Sequence, residues 1–430
     1  MRSVFLVYLC FFFAIPSLAQ PVEDLRVKQS LNGLWDFLPI LHESGSSHQS
    51  PGIIPQQGWL PEAIIVPGSW TRGMDIGEQP DPQTKPWEAW RLFDNYGYPA
   101  EWNNTHTAWY RRSFRVDALD PDRQYFIHMG GALRESWVFV NMRQVGHSIN
   151  GIMPDEYNIT SVLREGANTL HVYCTDYRRD EHGRTFTPTG ADQMIRQRGL
   201  WQDVYLVSRP HMYVKDVTIR TSTRKNELTL LVDICNTSAN ERRVKPEFAV
   251  VDGDDQFLSF ANPNISLKAG ETKRLEITQP WSSYIAWSPN TPQLYQLRTR
   301  LVEGNNVIDL RRDRFGFREV WIDGQHIMLN GEPVHLFGEW AHKYTFENFR
   351  PEYIRQWFRM LKDCNMNYIR THTFPHPQVL LDLADEMGIL VSLESAWHFT
   401  HSQALDQSET WEHAEQHVRE IIRRDKNHPS

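Results

Sequence analysis

Cysteine is scarce in this sequence: four among 430 residues, at positions 10, 174, 235 and 364. Cys10 falls inside an N-terminal apolar run, and the remaining three are widely spaced and odd in number, which argues against a disulfide scaffold even in an oxidising compartment. Positive charge is also short, 45 Lys and Arg against 53 Asp and Glu. That acidic balance gives nucleic acid and anionic membrane no attraction as partners. The long apolar run Val4 to Ile15 is too short to cross a bilayer as a helix. Preceded by Arg2 and followed by Pro16-Ser17-Leu18-Ala19, it reads as a secretory signal peptide over residues 1–20, so the expected location is secreted or periplasmic with no stable membrane anchor. Low-complexity tracts and short internal repeats do not stand out.

Aromatic residues are plentiful, 16 Trp, 15 Tyr and 21 Phe. Flat rings can stack on the C–H face of a sugar, although most rings in a chain of this size pack cores. The length predicts two to four domains. From residue 21 to about 210, short β segments alternate with Pro/Gly turns: Trp109 to Val116, Gln124 to Met129, Ser136 to Val140, Thr169 to Thr175 and Val204 to Val207. Strands of this kind need a second sheet over each buried face, which predicts a jelly-roll β-sandwich. From 211 to 319 the alternating runs lengthen (Tyr213 to Ile219, Leu228 to Ile234, Lys245 to Val250, Thr272 to Thr278, Leu294 to Leu301, Val307 to Phe315), as in an immunoglobulin-like sandwich. Sequons stand at Asn103, Asn158, Asn236 and Asn264 and matter only in a glycosylating host.

From 320 to 430 the pattern changes class. Pro333 to Gly338, Asn367 to Arg370 and Ile389 to Glu394 read as strands, while Pro351 to Asp363, Val379 to Met387 and Thr410 to Arg424 read as helices. Three β-then-α units with buried strands predict a parallel sheet, and its common closed form is the TIM (β/α)8 barrel. A barrel takes about 250 residues, so the stretch predicts an incomplete, open one.

In such barrels the C-terminal strand ends carry the chemistry. His342 follows the first expected strand, Arg370 ends the second and Glu394 ends the third. A guanidinium and an imidazole on one rim with a carboxylate can orient it and donate to hydroxyl groups. Trp340 and Trp397 stand beside them as stacking platforms or loop anchors. His372 and His376, with Glu339 and His398, can be read as mixed zinc ligands or as hydrogen-bonding groups. No compact motif such as H-E-x-x-H appears, so no metal and no cofactor is expected. A further aromatic stretch, Trp87, Trp90, Tyr96, Tyr98 and Trp102 around Arg91, Asp94 and Asn95, suits a sugar-contact loop, a lid over the barrel mouth, or packing.

Nine segments together resemble glycoside hydrolase family 2, which includes β-galactosidases, β-glucuronidases and β-mannosidases. They are Leu31-Asn32-Gly33-Leu34-Trp35, Val66-Pro67-Gly68-Ser69-Trp70, Trp109-Tyr110-Arg111-Arg112-Ser113-Phe114, Gly199-Leu200-Trp201-Gln202-Asp203-Val204, Arg314-Phe315-Gly316-Phe317-Arg318, Leu329-Asn330-Gly331-Glu332-Pro333-Val334, Tyr368-Ile369-Arg370-Thr371-His372, Leu383-Ala384-Asp385-Glu386-Met387-Gly388 and Arg424-Asp425-Lys426-Asn427-His428-Pro429-Ser430. Their order implies a sugar-binding jelly roll, an immunoglobulin-like sandwich and the start of a catalytic barrel. The resemblance places His342 on a substrate-pocket histidine, Arg370 on an active-site arginine and Glu394 on an acidic position at the third strand end.

This sequence departs from the family at Trp340, where asparagine is common. It departs again at Arg370-Thr371-His372-Thr373-Phe374-Pro375, where the familiar histidine has moved by one position. Positions around His398 and Thr400 do not match the magnesium ligands of some relatives. The resemblance implies a retaining exo-acting β-glycosidase, with galactoside as the leading substrate and glucuronide or another β-glycoside as alternatives. It also implies that the acid/base and nucleophilic glutamates lie beyond Ser430, so that this chain alone is expected to be inactive. Homo-oligomerisation of the full-length protein stays open, and an array of carbohydrate-binding modules without catalysis is the competing class.

Overall fold

The computed structural model describes residues 25–40, 51–70, 98–99, 101–102, 105–175, 198–260, 262–341, 349–372, 374–396, 406 and 408–430. The expected signal peptide lies outside them. Among the described residues, no helix is long and apolar enough to cross a membrane.

The first unit is an antiparallel sandwich. Its strands are β1 (Val27–Ser30), β2 (Gly33–Ile40), β3 (Leu60–Val66), β4 (Thr107–Val116), β5 (Arg123–Met129), β6 (Glu135–Val140), β7 (Arg143–Ser148), β8 (Asp155–Asn158), β9 (Gly166–Thr175) and β10 (Val204–Pro210). They form sheets of order β3-β2-β4-β9-β6-β7 and β1-β10-β5-β8. Trp35, Phe37, Ile64, Tyr110, Val138 and Val172 fill the space between the sheets. This is the jelly-roll sandwich that the turn-separated runs imply.

The second unit comprises β11 (Met212–Ser222), β12 (Glu227–Asn236), β13 (Arg242–Asp252), β14 (Asp255–Phe260), β15 (Ile265–Leu267), β16 (Thr272–Pro280), β17 (Tyr295–Glu303) and β18 (Asn306–Phe315). Sheet β11-β12-β16 faces sheet β14-β13-β17-β18, with β15 paired to β13. Along β12, Leu228, Leu230, Val232 and Ile234 turn inward at every second residue, which is what a strand buried on one face requires. Asn236 is wholly buried, and its amide donates to the carbonyls of Asn240, Leu267 and Lys268. That sequon is closed to glycosylation in the folded chain, whereas Asn158 and Asn264 are exposed.

The third region opens with an antiparallel meander, β19 (Val320–Asp323), β20 (His326–Leu329) and β21 (Glu332–Val334), before the parallel sheet begins. That sheet is β22 (Gly338–Ala341), β23 (Tyr368–Thr371) and β24 (Leu390–Ser392). The expected first barrel strand at Pro333 to Gly338 is therefore misplaced. Pro333 and Val334 pair back onto Met328 and Ile327, and one apolar run spans the end of the meander and the barrel's start.

Helices α1 (Pro351–Asp363), α2 (Gln378–Met387) and α3 (Ser408–Asp425) follow the three strands. Pro351 opens α1, and Ile354, Trp357, Phe358 and Leu361 form its buried stripe. Gly388 closes α2 in the left-handed conformation, φ 68°. The three β/α units are the opening of an unclosed TIM barrel.

Polar joints fix the units to one another. Arg26 binds the fully buried Asp309 through Nε and Nη2 at 2.9 and 2.7 Å, tying the first sandwich to the second. The second meets the barrel units where Trp287 Nε1 donates to Asp385 O at 2.9 Å and Lys362 Nζ to Pro289 O at 2.7 Å. Asn427 bonds both Ile219 N and Val217 O of β11, each at 2.9 Å.

Candidate active site

The parallel register sets the rim. Trp340 of β22 lies opposite Arg370 of β23, which lies opposite Ser392 of β24. Ile369 and Thr371 are buried while Arg370 is not, so the pleat sends Arg370 to the open face of the sheet. The Arg370 guanidinium sits 5.1 Å from the Trp340 ring centroid and forms an ion pair with Glu394. His372, two residues along from Arg370, stacks on the same Trp340 ring at 5.0 Å with 23° between planes. Glu394 is held from behind, its backbone N–H donating to Thr371 Oγ1 at 2.9 Å.

Four of the six expected site residues, Trp340, Arg370, His372 and Glu394, thus form one continuous group. His342 and Trp397 lie outside the described residues, as does His398. With side-chain exposures of 40% and 21%, the Arg370–Glu394 pair adds at most about 1 kcal/mol of stability. Its effect is orientational: a planar fork holds the carboxylate in one direction above an aromatic floor.

Glu339 and His376 do not join this group. Glu339 accepts a hydrogen bond from Trp357 Nε1 of α1, because alternation along β22 turns it away from Trp340. His376 is fully buried with its ring nitrogens 3.1 Å from Phe374 O and 3.2 Å from Ala341 O. The mixed zinc reading therefore finds no convergent ligands among the described residues of that set. Of the aromatic stretch ahead of the first core, Trp87, Trp90 and Tyr96 fall outside the described residues. Trp102 is buried 4.7 Å from the Phe37 ring centroid, and Tyr98 packs against it. Trp102 is core, which removes the sugar-contact reading for it, and Tyr98 is a half-buried ring packed on that core.

Sequence reasoning passed over a second polar cluster. Asp382, Asp385 and His428 bring their ligand atoms within 4.8 Å of one another. The Arg314 guanidinium, 2.5 Å from Asp382 Oδ1 and 3.6 Å from Asp385 Oδ2, already supplies positive charge there. Burial raises the Asp382 pKa against the opposing pull of Arg314 and His428. Burial opposes charge on His428, but its hydrogen bond to Asp385 and the nearby carboxylates prevail and raise its pKa. The cluster joins the second sandwich, α2 and the chain's last residues. Asp385 and His428 lay in two of the quoted segments, Leu383 to Gly388 and Arg424 to Ser430, and Asp382 just ahead of the first; their spacing gave no hint that they meet.

Three family descriptions match in succession: "Glycosyl hydrolases family 2, sugar binding domain" over residues 28–210, "Glycosyl hydrolases family 2" over 212–318, and "Glycosyl hydrolases family 2, TIM barrel domain" over 318–430. A β-galactosidase of Priestia megaterium is 27% identical over 94% of this chain, which spans 40% of that relative's length. A crystal structure of a GH2 β-galacturonidase from Eisenbergiella tayi superposes with a TM-score of 0.71 at 23% identity, over 94% of this chain and 64% of that one. A Bacteroides uniformis β-glucuronidase gives 0.72 at 23% identity, over 94% and 46%.

Proposed function

The chain belongs to glycosyl hydrolases family 2, and from that premise we propose that it forms the sugar-binding, spacing and opening barrel parts of a retaining exo-β-glycosidase. The observation that carries this reading is the Arg370–Glu394 pair, with Arg370 on β23 and Glu394 two residues past the end of the adjacent parallel β24, floored by Trp340. Barrel enzymes assemble their chemistry at that edge. Retaining hydrolysis needs two carboxyl groups about 5–5.5 Å apart, one attacking the anomeric carbon while the other protonates the leaving oxygen. Glu394 is committed to Arg370 and Glu339 to Trp357, so in this reading neither serves. The pair belongs to later barrel strands, in the portion of the relatives' length that this chain does not span. Arg370 and Glu394 orient sugar hydroxyls and the nucleophile, and His342 donates to a hydroxyl.

A terminal β-galactoside is the proposed substrate. The likeness to the Priestia megaterium β-galactosidase supports this choice. The second reading, a β-uronide, draws on the likeness to the galacturonidase and glucuronidase structures. A purely carbohydrate-binding role is disfavoured by three β/α units that a lectin does not need. The secretory reading of residues 1–20 places the reaction outside the cytoplasm.

Hydrolysis of aryl β-galactosides, β-glucuronides and β-mannosides by the complete gene product tests the proposal. Galactoside turnover with the β-anomer released first supports it, and exclusive uronide turnover replaces the sugar assignment. Enzyme-like turnover by the 430-residue chain alone refutes the placement of the carboxylates.

A further inference from the structure

Behind the rim, residues from three segments meet at the seam between the first sandwich and the β/α region. Asn150 lies in the loop between β7 and β8, His417 on α3, and Ala396 two residues past Glu394; they are 5%, 0% and 0% exposed. Ile152, Met153, Trp201, Phe349 and Phe374 form an apolar cluster with Ala396 that keeps water away. The Ala396 amide donates to His417 Nε2 at 3.0 Å. A backbone amide can only donate, so Nε2 carries no proton and the ring's N–H is Nδ1, which donates to Asn150 Oδ1 at 3.1 Å. Asn150 Nδ2 in turn donates to Glu420, whose other oxygen accepts from Gln416 Nε2 at 2.9 Å. Each polar atom has one compatible role. Burial, followed by the charge of Arg424, lowers the His417 pKa to about 4 and so keeps the ring in the neutral form that can accept.

We propose that Asn150 and His417 are positioning residues, a relay by which docking of the first sandwich fixes the turn that carries Glu394 and thereby sets its carboxylate against Arg370. Thr371 holds the Glu394 amide on one side and His417 holds the Ala396 amide on the other, so the turn is pinned at both ends. The catalytic consequence rests on the proposed function, whereas the geometry of the relay does not.

Hydrogen exchange at the Ala396 amide of the 430-residue chain is the test. His417→Leu removes the acceptor and is expected to speed that exchange about tenfold, leaving the immunoglobulin-like sandwich unchanged. His417→Gln, whose side-chain oxygen reaches the place of Nε2, is expected to restore protection. Asn150→Ala is the milder variant that decides if the leucine variant does not fold, and it must also speed Ala396. In the complete enzyme, His417→Leu should lower kcat/KM about tenfold, with His417→Gln recovering most of it. Unchanged Ala396 exchange in both deleting variants, or acceleration spread evenly through all units, overturns the relay. Exchange as expected with no glycosidase activity in any form sinks the proposed function and leaves the relay standing.

Discussion

His428 places Nδ1 2.6 Å from a carboxylate oxygen of Asp385, pinning the chain's last residues to α2. The folded pKa of His428 is raised, so its contribution to stability is full below the unfolded value near 6.5 and is lost as pH climbs through the folded value. His428→Gln should cost about 1–3 kcal/mol at pH 6 and distinctly less at pH 9. Thermal melts of both proteins across that range check the sign.

Asp155 of β8 faces Glu420 and Arg423 of α3 across the same seam as the Asn150 relay. Burial raises its pKa to about 6, with Glu420 adding to the rise and Ser148, Arg423 and Tyr157 opposing it. The folded chain therefore holds a proton that the unfolded chain releases near 3.8. Wild type should lose on the order of 2–3 kcal/mol from this group as pH rises from about 4 to 6. Asp155→Asn should flatten that slope in urea titrations, and an identical slope in both proteins would refute the assignment.

Gly388 closes α2 at φ 68°, and a Cβ there would stand 2.3 Å from the carbonyl oxygen of Pro289 in the second sandwich. Gly388→Ala combines left-handed strain with a backbone clash and should cost about 2–4 kcal/mol. Equilibrium urea unfolding measures it, and a cost under about 0.5 kcal/mol would mean that the two units part easily.

Arg370→Met should separate activity from stability. Because the pair with Glu394 is half exposed, the melting point of the 430-residue chain should barely move. In the complete enzyme, kcat/KM should fall about 100-fold as Glu394 loses its guide. Steady-state kinetics beside a melt of the same variant reads both.

Periodicity made α1 legible, since Pro351 and the spacing of Ile354, Trp357, Phe358 and Leu361 leave one solution. The long strands of the second sandwich were legible for the same reason, but β14 and β15 were not, being short and carrying little alternation. The boundary at β22 was misread because hydrophobicity alone cannot say which partner an apolar run will choose. Arg370 and Glu394 were found from their places at the ends of the expected strands; the third strand stops at Ser392, opposite Arg370, and the turn after it brings Glu394 to the guanidinium. Tyr98 and Trp102 show the limit of composition, since a ring that could grip a sugar and a ring that fills a core look alike in sequence. His417 is one of two histidines on an amphipathic helix, and its partner Asn150 is 267 positions away. Nothing local announces that pairing.

Asn427 reaches back across 208 positions to bond β11, Lys426 pairs with Asp216, and Arg318 donates to the Pro429 carbonyl. The middle sandwich is consequently not a free-standing cassette. A chimaera that exchanges it for the equivalent piece of a relative would also have to exchange residues 426–429, or the graft would carry a mismatched lock into the wall of the barrel.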